Sequence, residues 1–327
     1  MQTVRSVLIH PSVRASAFRH RRIESLRTGM IDPTFHYAAV KQAELWLRVH
    51  QLHAPGSVQS DFKAIYRDLA DDLARSLAGQ AVHVIGLGSG GGEKEAWILE
   101  ALHEQGCTLR YTPVDVSPEL ALLSAEMADR RVHFPIVPLV GHLSLLEGSP
   151  DWLPDHNPSE IRVYTAFGLT PNLPPDWLPR QLARQLRTGD QLLISANLAP
   201  TEQPDQADYL PACRRLMSQY DNPETLAWLR QALIDWGIAP LLSEPHFDLA
   251  ELQGVAGFFA TSHWLDDTRF DWEGLPFTAR AGEPLLLFYS LRYTPARLAR
   301  ELAACGLTLG TGYVTGNGEE GVWRVWQ

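Results

Sequence analysis

The sequence predicts an α/β protein built on a doubly wound, mostly parallel sheet, and three observations carry that expectation. Short apolar runs alternate with helix-period segments between Val82 and Leu198, the pattern of strands joined by helical crossovers. The first run, Val82–Leu87, breaks into five glycines between 86 and 92 and then into a helical pattern, which lets backbone approach a ligand closely. The second run ends on an acid, Asp115, in Thr-Pro-Val-Asp-Val-Ser. Such an acid can accept hydrogen bonds from ribose hydroxyls.

The first 27 residues carry Arg5, Arg14, Arg19, Arg21, Arg22 and Arg27 against one acid, Glu24. Ala and Ser are not abundant there, so an exposed basic face is expected rather than a transit peptide. An aromatic cluster (Phe35, Tyr37, Trp46) and a long helix over Phe62–Leu77 complete an N-terminal helical segment, residues 1–80. The first part of the sheet domain, 81–198, has strands at 82–87, 109–116, 132–140, 161–167 and 191–198. Helices are expected at 93–105, 118–129 and 176–186. From 199 to 283 the chain is polar, proline-rich and helix-leaning (Ala207–Gln219, Pro223–Trp236), and the alternation is lost. That stretch reads as an inserted substrate subdomain. Residues 284–327 are expected to complete the sheet: a strand over Pro284–Tyr293, a helix opened by Thr294-Pro295, and strands near 308–314 and 321–326. The last two flank Thr315-Gly-Asn-Gly-Glu-Glu, an antiparallel hairpin signal.

Apolar residues make up 45% and charged residues 20% of the 327, as in an ordinary globular protein. No apolar run approaches the roughly 18–20 residues of a membrane span. A net charge of −10 argues against a nucleic-acid partner, since phosphate binding concentrates Lys and Arg. Cys107, Cys213 and Cys305 lie far apart, which supports neither a zinc site nor a disulfide framework; no metal and a cytoplasmic setting are expected. A monomer or weak homodimer is expected.

Gly86-x-Gly88-x-x-Gly91 also satisfies the dinucleotide fingerprint. However, only one strand–glycine–helix half is present, and the closing hairpin does not suit a second mononucleotide half. S-adenosylmethionine (SAM), a nucleoside with a short zwitterionic tail, needs only the one half. An NAD-dependent oxidoreductase is the weaker alternative. The pair Glu93/Glu95 reads as a solvated first-turn feature that complements the helix dipole.

Gly-Leu-Gly-Ser-Gly-Gly-Gly-Glu-Lys94 and Pro-Val-Asp115-Val-Ser resemble the histidine-specific SAM-dependent N-methyltransferases of the ergothioneine-biosynthesis type. Further similarities follow in order: Ser25-Leu-Arg…Pro33-Thr-Phe-His-Tyr37, Phe167-Gly-Leu-Thr-Pro-Asn172-Leu, and Ala281-Gly-Glu283 with Ser290-Leu-Arg-Tyr293. The resemblance runs from about residue 22 to the end and implies a class I methyltransferase-like Rossmann sheet with an inserted substrate subdomain. It places the cofactor against Gly88, Ser89, Gly90, Lys94, Asp115 and His142. It places the substrate against Asn172, Phe167, Phe288 and Ser290, with Tyr37 and Tyr220 as the polar groups that orient the reacting nitrogen and help accept its proton.

The departures carry the functional information. Gly86 stands where the family has an acid before the glycine loop, and Gly141-His142-Leu143 stands where it has Gly-Asp-Phe. The Glu that reads the imidazole N–H aligns with Phe288, a second Glu with Ala256, and a tyrosine pair with a stretch near Pro55-Gly56. A carboxylate that accepted an N–H has become a phenyl ring, and a bound imidazole would keep unpaired polar groups. Phe258, Phe259, Phe288 and Trp264 suit an apolar or alkylated ammonium group instead. The expectation is a SAM-dependent N-methyltransferase for an amino acid or related small amine other than histidine. The alternative is a degenerate, non-catalytic SAM- or SAH-binding homologue.

Overall fold

The computed structural model describes residues 6–53, 61–148, 152–153, 157, 159–200 and 209–327. The chain opens with β1 (Leu8–Ile9), α1 (Ala15–Thr28), α2 (Val40–His53) and α3 (Phe62–Ser76). The alternating part follows: β2 (Ala81–Leu87), α4 (Glu93–Glu104), β3 (Thr108–Asp115), α5 (Pro118–Asp129), β4 (Leu139–Val140), β5 (Ile161–Ala166), α6 (Trp177–Gln185) and β6 (Gln191–Asn197). Then come α7 (Tyr209–Arg214), α8 (Pro223–Asp235), β7 (His246–Leu252), β8 (Val255–His263), β9 (Thr268–Trp272), β10 (Leu275–Ala279) and β11 (Pro284–Leu291). The chain closes with α9 (Pro295–Ala303), β12 (Thr308–Val314) and β13 (Glu320–Trp326).

The central sheet has the order β1-β4-β3-β2-β5-β6-β13-β12. Every pairing in it is parallel except those of β13, which runs antiparallel to β6 and to β12. The expected closing hairpin is therefore present. Strand β2 is buried from Val82 to Leu87 because helices cover both faces. Helix α3 buries Phe62, Ile65, Tyr66, Leu69, Ala70, Leu73 and Ala74, a stripe at helical spacing. Local chemistry starts the other helices: Ser117 Oγ accepts from Leu120 N before α5, and Thr294 Oγ1 from Arg297 N before α9.

Three expectations differ from the structure. The strand over 132–140 shrinks to Leu139–Val140 plus a single bridge at Ile136, because Pro135 and Pro138 have no N–H to give a ladder. The 199–283 stretch is not chiefly helical, since it carries β7 to β10. Its hairpins turn at Gln253-Gly254 and Glu273-Gly274, where both residues have positive φ, the type I′ geometry. The strand at 284–291 does not rejoin the main sheet. It pairs antiparallel with β8 in a separate sheet of order β11-β8-β7, while β13 takes the place beside β6.

The two sheets meet where Tyr293 N donates to Asn197 O (2.8 Å) and Ala199 N to Tyr293 O (2.8 Å). The N-terminal segment joins both. Leu8 N and His10 N donate to the carbonyls of Pro138 and Val140, and Ile31 N and Leu286 N exchange bonds with Leu286 O and Gly29 O. The basic face expected there is largely engaged in fastening. Arg21 bonds Ser12 O, His142 and Ser144 and faces Asp32, and Arg22 pairs with Glu273. No helix among the described residues is long and apolar enough to cross a membrane.

Candidate active site

Strand β2 delivers the chain into the glycine loop at the carboxyl edge of the sheet. Gly88, Gly90 and Gly92 have φ of +56°, +51° and +73°, the left-handed region that side chains oppose. Space is tight as well. A Cβ on Gly88 would lie 2.6 Å from Leu169 Cδ2, and one on Gly90 would lie 2.8 Å from Trp46 Cη2. Ser89 N donates to Val114 O (3.2 Å), and Gly92 N to Ser89 O (2.9 Å). Asp115, at the end of β3, ties the loop down: its Oδ2 accepts from Gly90 N and its Oδ1 from Ser117 N, both at 3.0 Å. Burial raises its carboxyl from 3.8 to about 6, against the pull of those N–H groups. Each oxygen keeps lone-pair capacity for a hydroxyl. A bare glycine cradle beside a buried acid fits the ribose and the short tail of SAM.

Beneath the loop, Gly86 leaves room that Tyr111 and Glu95 fill. A Cβ there would meet Tyr111 Oη at 2.9 Å and Glu95 Cγ at 3.3 Å. Glu95 is buried, accepts from Thr165 Oγ1 (2.9 Å), and is raised from 4.5 to about 7 by burial. The solvated reading of this pair thus holds for Glu93, which faces Lys63 at 3.6 Å, and fails for Glu95, whose apolar-face position turns it inward. Ionising Glu95 opposes folding as pH rises from 4.5 through about 7. Glu95→Gln is expected to stabilise the protein at pH 8 by on the order of 3 kcal/mol and to change it little near pH 4.5. Denaturant melts at the two pH values check this, and equal differences at both would refute it.

Three expected ligand contacts have other partners. Lys94 Nζ lies 3.7 Å from Glu320 Oε1 and over the rings of Phe62 (5.1 Å) and Tyr66 (4.6 Å). Tyr66 donates to the same carboxylate at 2.5 Å, so the lysine compensates a buried acid. His142 caps the turn at 143–147: its Nδ1 accepts from Ser144 N (3.0 Å) and faces Arg21 Nη2 (2.9 Å). Burial holds this imidazole neutral, with its pKa lowered to about 4. Arg21 of the N-terminal segment thus engages one ring nitrogen, Nδ1. Phe167 is core, perpendicular to Tyr66 with centroids 5.1 Å apart. Among the wider aromatic set, Trp264, just after β8, is buried against Phe270 and Phe277 of the β9–β10 hairpin.

The remaining candidates converge. Tyr37 lies edge-on to Trp46 (6.0 Å) and Trp228 (5.4 Å), and Trp228 edge-on to Phe288 (5.5 Å). His36 fixes this wall, its Nε2 against Leu287 O (2.7 Å) and its own carbonyl accepting from Trp228 Nε1 (2.7 Å). Burial and the nearby Asp115 raise the Tyr37 phenol well above its ordinary value, so it stays protonated and is a hydrogen-bonding group rather than a base. Two residues along β11 from Phe288, on the same face, Ser290 Oγ lies 3.0 Å from Tyr220 Oη. Asn172 Nδ2 donates to Gly168 O (3.1 Å), and its buried Oδ1 has no partner among the described residues. Sequence reasoning missed Trp46, Trp228, Asn197 and Arg292. Only the similarity of Ser290-Leu-Arg-Tyr293 to the family pattern, which has Lys where Arg292 stands, pointed toward Arg292. The stretch near Pro55-Gly56 lies outside the described residues.

A mostly parallel sheet closed by an antiparallel hairpin, with a glycine loop and a buried acid at its carboxyl edge, is the class I fold of SAM-dependent methyltransferases. Residues 60–210, a little under half of the chain, match the model of the family described as histidine-specific, SAM-dependent methyltransferases. No curated protein sequence matches the chain. Among solved structures, the chain is similar to the mitomycin 7-O-methyltransferase, at 18% identity and a TM-score of 0.44, over 97% of this chain and 69% of that one. It is also similar to the 1,6-didemethyltoxoflavin N1-methyltransferase of Burkholderia thailandensis, at 16% and 0.40, over 87% of each. The third is the N,N-8-amino-8-demethyl-D-riboflavin dimethyltransferase of Streptomyces davawensis, at 15% and 0.39, over 96% and 70%.

Proposed function

We propose that the protein is an N-methyltransferase for an amino acid or related small amine other than histidine. The observation that carries this is Phe288, an apolar ring edge-on to Trp228 where the resemblance calls for a carboxylate. SAM supplies the activated methyl group on its sulfonium. The chain holds the ribose at Asp115 and lets the cofactor approach Gly88 and Gly90. In this reading residues 1–80 and the 199–283 insert furnish the substrate side, through Tyr37 and Trp46 on one hand and Tyr220 and Trp228 on the other.

The aromatic wall excludes water and presents ring faces to an alkylated nitrogen. Asn172 Oδ1, buried and unpartnered, would take an N–H of the amine and aim its lone pair. Alignment of the two reactants supplies most of the acceleration. With S-adenosylhomocysteine (SAH) present, calorimetric titration with histidine is expected to show no micromolar binding. Phe288→Glu is expected to raise histidine affinity by about tenfold or more, the scale of one restored charge-assisted hydrogen bond. Micromolar histidine binding to the unaltered protein would end this reading. A mass scan of an amine pool for products heavier by one methylene unit then identifies the acceptor.

A further inference from the structure

Arg292 is 1% exposed, yet among the described residues its hydrogen bonds go only to uncharged oxygens. Nη1 donates to the carbonyls of Leu198 (3.2 Å) and Glu319 (3.3 Å), and Nη2 to Gln219 Oε1 and Tyr220 Oη, both at 3.0 Å. Its Nε is buried without a partner. The guanidinium carbon lies 5.4 Å from the Tyr220 ring centroid and 5.6 Å from that of Phe258.

A guanidinium only donates, and that fixes the proton order beyond it. Tyr220 Oη receives from Arg292 and from Asn197 Nδ2 (3.1 Å), so its own hydrogen goes to Ser290 Oγ. Ser290 Oγ also receives from Asn197 Nδ2 (3.3 Å). With Tyr220 and the hydrogen that Asn197 shares between the two hydroxyls on its acceptor side, its own hydrogen is left for a ligand. Each link points the same way, from a buried positive charge toward the acceptor side, beside Phe288 on the same strand face. Chains of this kind polarise in a low-dielectric interior.

We propose that the subsite at Ser290 takes a carboxylate oxygen of the methyl acceptor, and that Arg292 is the positioning residue that orders Tyr220 and Ser290 to present a donor there. This rests on the methyltransferase reading and narrows its substrate to an amine that also carries a carboxylate at this subsite. Its polarity is the reverse of what an imidazole N–H requires.

The test uses the full chain and measures SAH affinity first, which Ser290 and Arg292 variants are expected to leave unchanged. Acetate, and tetramethylammonium as its cationic control, are then titrated up to roughly 100 mM by ligand-observed NMR, with and without SAH. Saturable acetate binding is expected. Ser290→Ala should weaken it about tenfold, Arg292→Lys should keep it within a few-fold, and Arg292→Met should lose it. Absence of acetate binding, or binding that Ser290→Ala leaves undiminished, overturns the proposal. Failure of SAH to bind would instead overturn the methyltransferase reading, and the acetate titration without SAH would still decide the subsite.

Discussion

Asp115→Asn is expected to weaken SAH binding by about 100-fold and to remove most of its pH dependence. The carboxylate already holds Gly90 N and Ser117 N at 3.0 Å. An amide must turn an NH2 toward one of those N–H groups, and it loses an acceptor for the ribose. In the unaltered protein the carboxyl titrates near 6 instead of 3.8. Only its ionised form accepts two further hydroxyl bonds, so SAH affinity should fall about tenfold per unit as pH drops below 6. Folding stability runs the other way. A raised carboxyl pKa gives a contribution that is present at low pH and is lost as pH rises from 3.8 through about 6. Calorimetry and melts over pH 4.5–7.5 should therefore show opposite slopes. A flat SAH affinity across that range would remove Asp115 from the cofactor site.

Gly92→Ala carries the largest expected effect on folding, a loss of about 3 kcal/mol or more. Its φ of +73° is strained for alanine. The added Cβ would lie 2.4 Å from Ser124 Oγ and 2.6 Å from Ser124 Cα. Backbone of α5 cannot step aside as a flexible side chain can. Gly91 is the control, since a Cβ there meets nothing within 4 Å and its φ lies outside the left-handed region. Gly91→Ala should change stability by less than about 0.5 kcal/mol. Equal losses from both variants in urea melts would mean that the loop rejects Cβ atoms on grounds other than contact and φ.

The parts of this fold that could be read in advance were those governed by local pattern. Val82–Leu87, the glycine loop and Asp115 announce themselves through apolar run, backbone freedom and residue type. Strands β7 to β10 did not, because their turns use Gln-Gly and Glu-Gly where Asn-Gly or Asp-Gly would have signalled a type I′ hairpin. The partner of β11 was also hidden, since nothing in Leu285-Leu-Leu-Phe says which sheet buries it. At the site, Lys94 and His142 sit at the expected positions in the chain and make other contacts. Glu320 and Arg21, which claim them, lie 226 and 121 residues away in sequence. Trp46 over Gly90 and Arg292 behind Tyr220 arise the same way, from long-range packing that a one-dimensional pattern does not encode.

The seam between the sheets has a mechanical consequence. Asn197–Tyr293 joins them at one place, and the segment from Leu8 to His36 joins them again, bonded to β4 at one end and to β11 at the other. A body hinged at one crossing can swing, whereas one held at two separate places cannot do so without breaking hydrogen bonds at one of them. The aromatic wall and the glycine cradle, which meet where Trp46 packs over Gly90, are thus held in one relative position rather than as a pair of jaws. Under the proposed function, selection among acceptors then falls to shape and hydrogen-bond polarity, and little binding energy is diverted to closure.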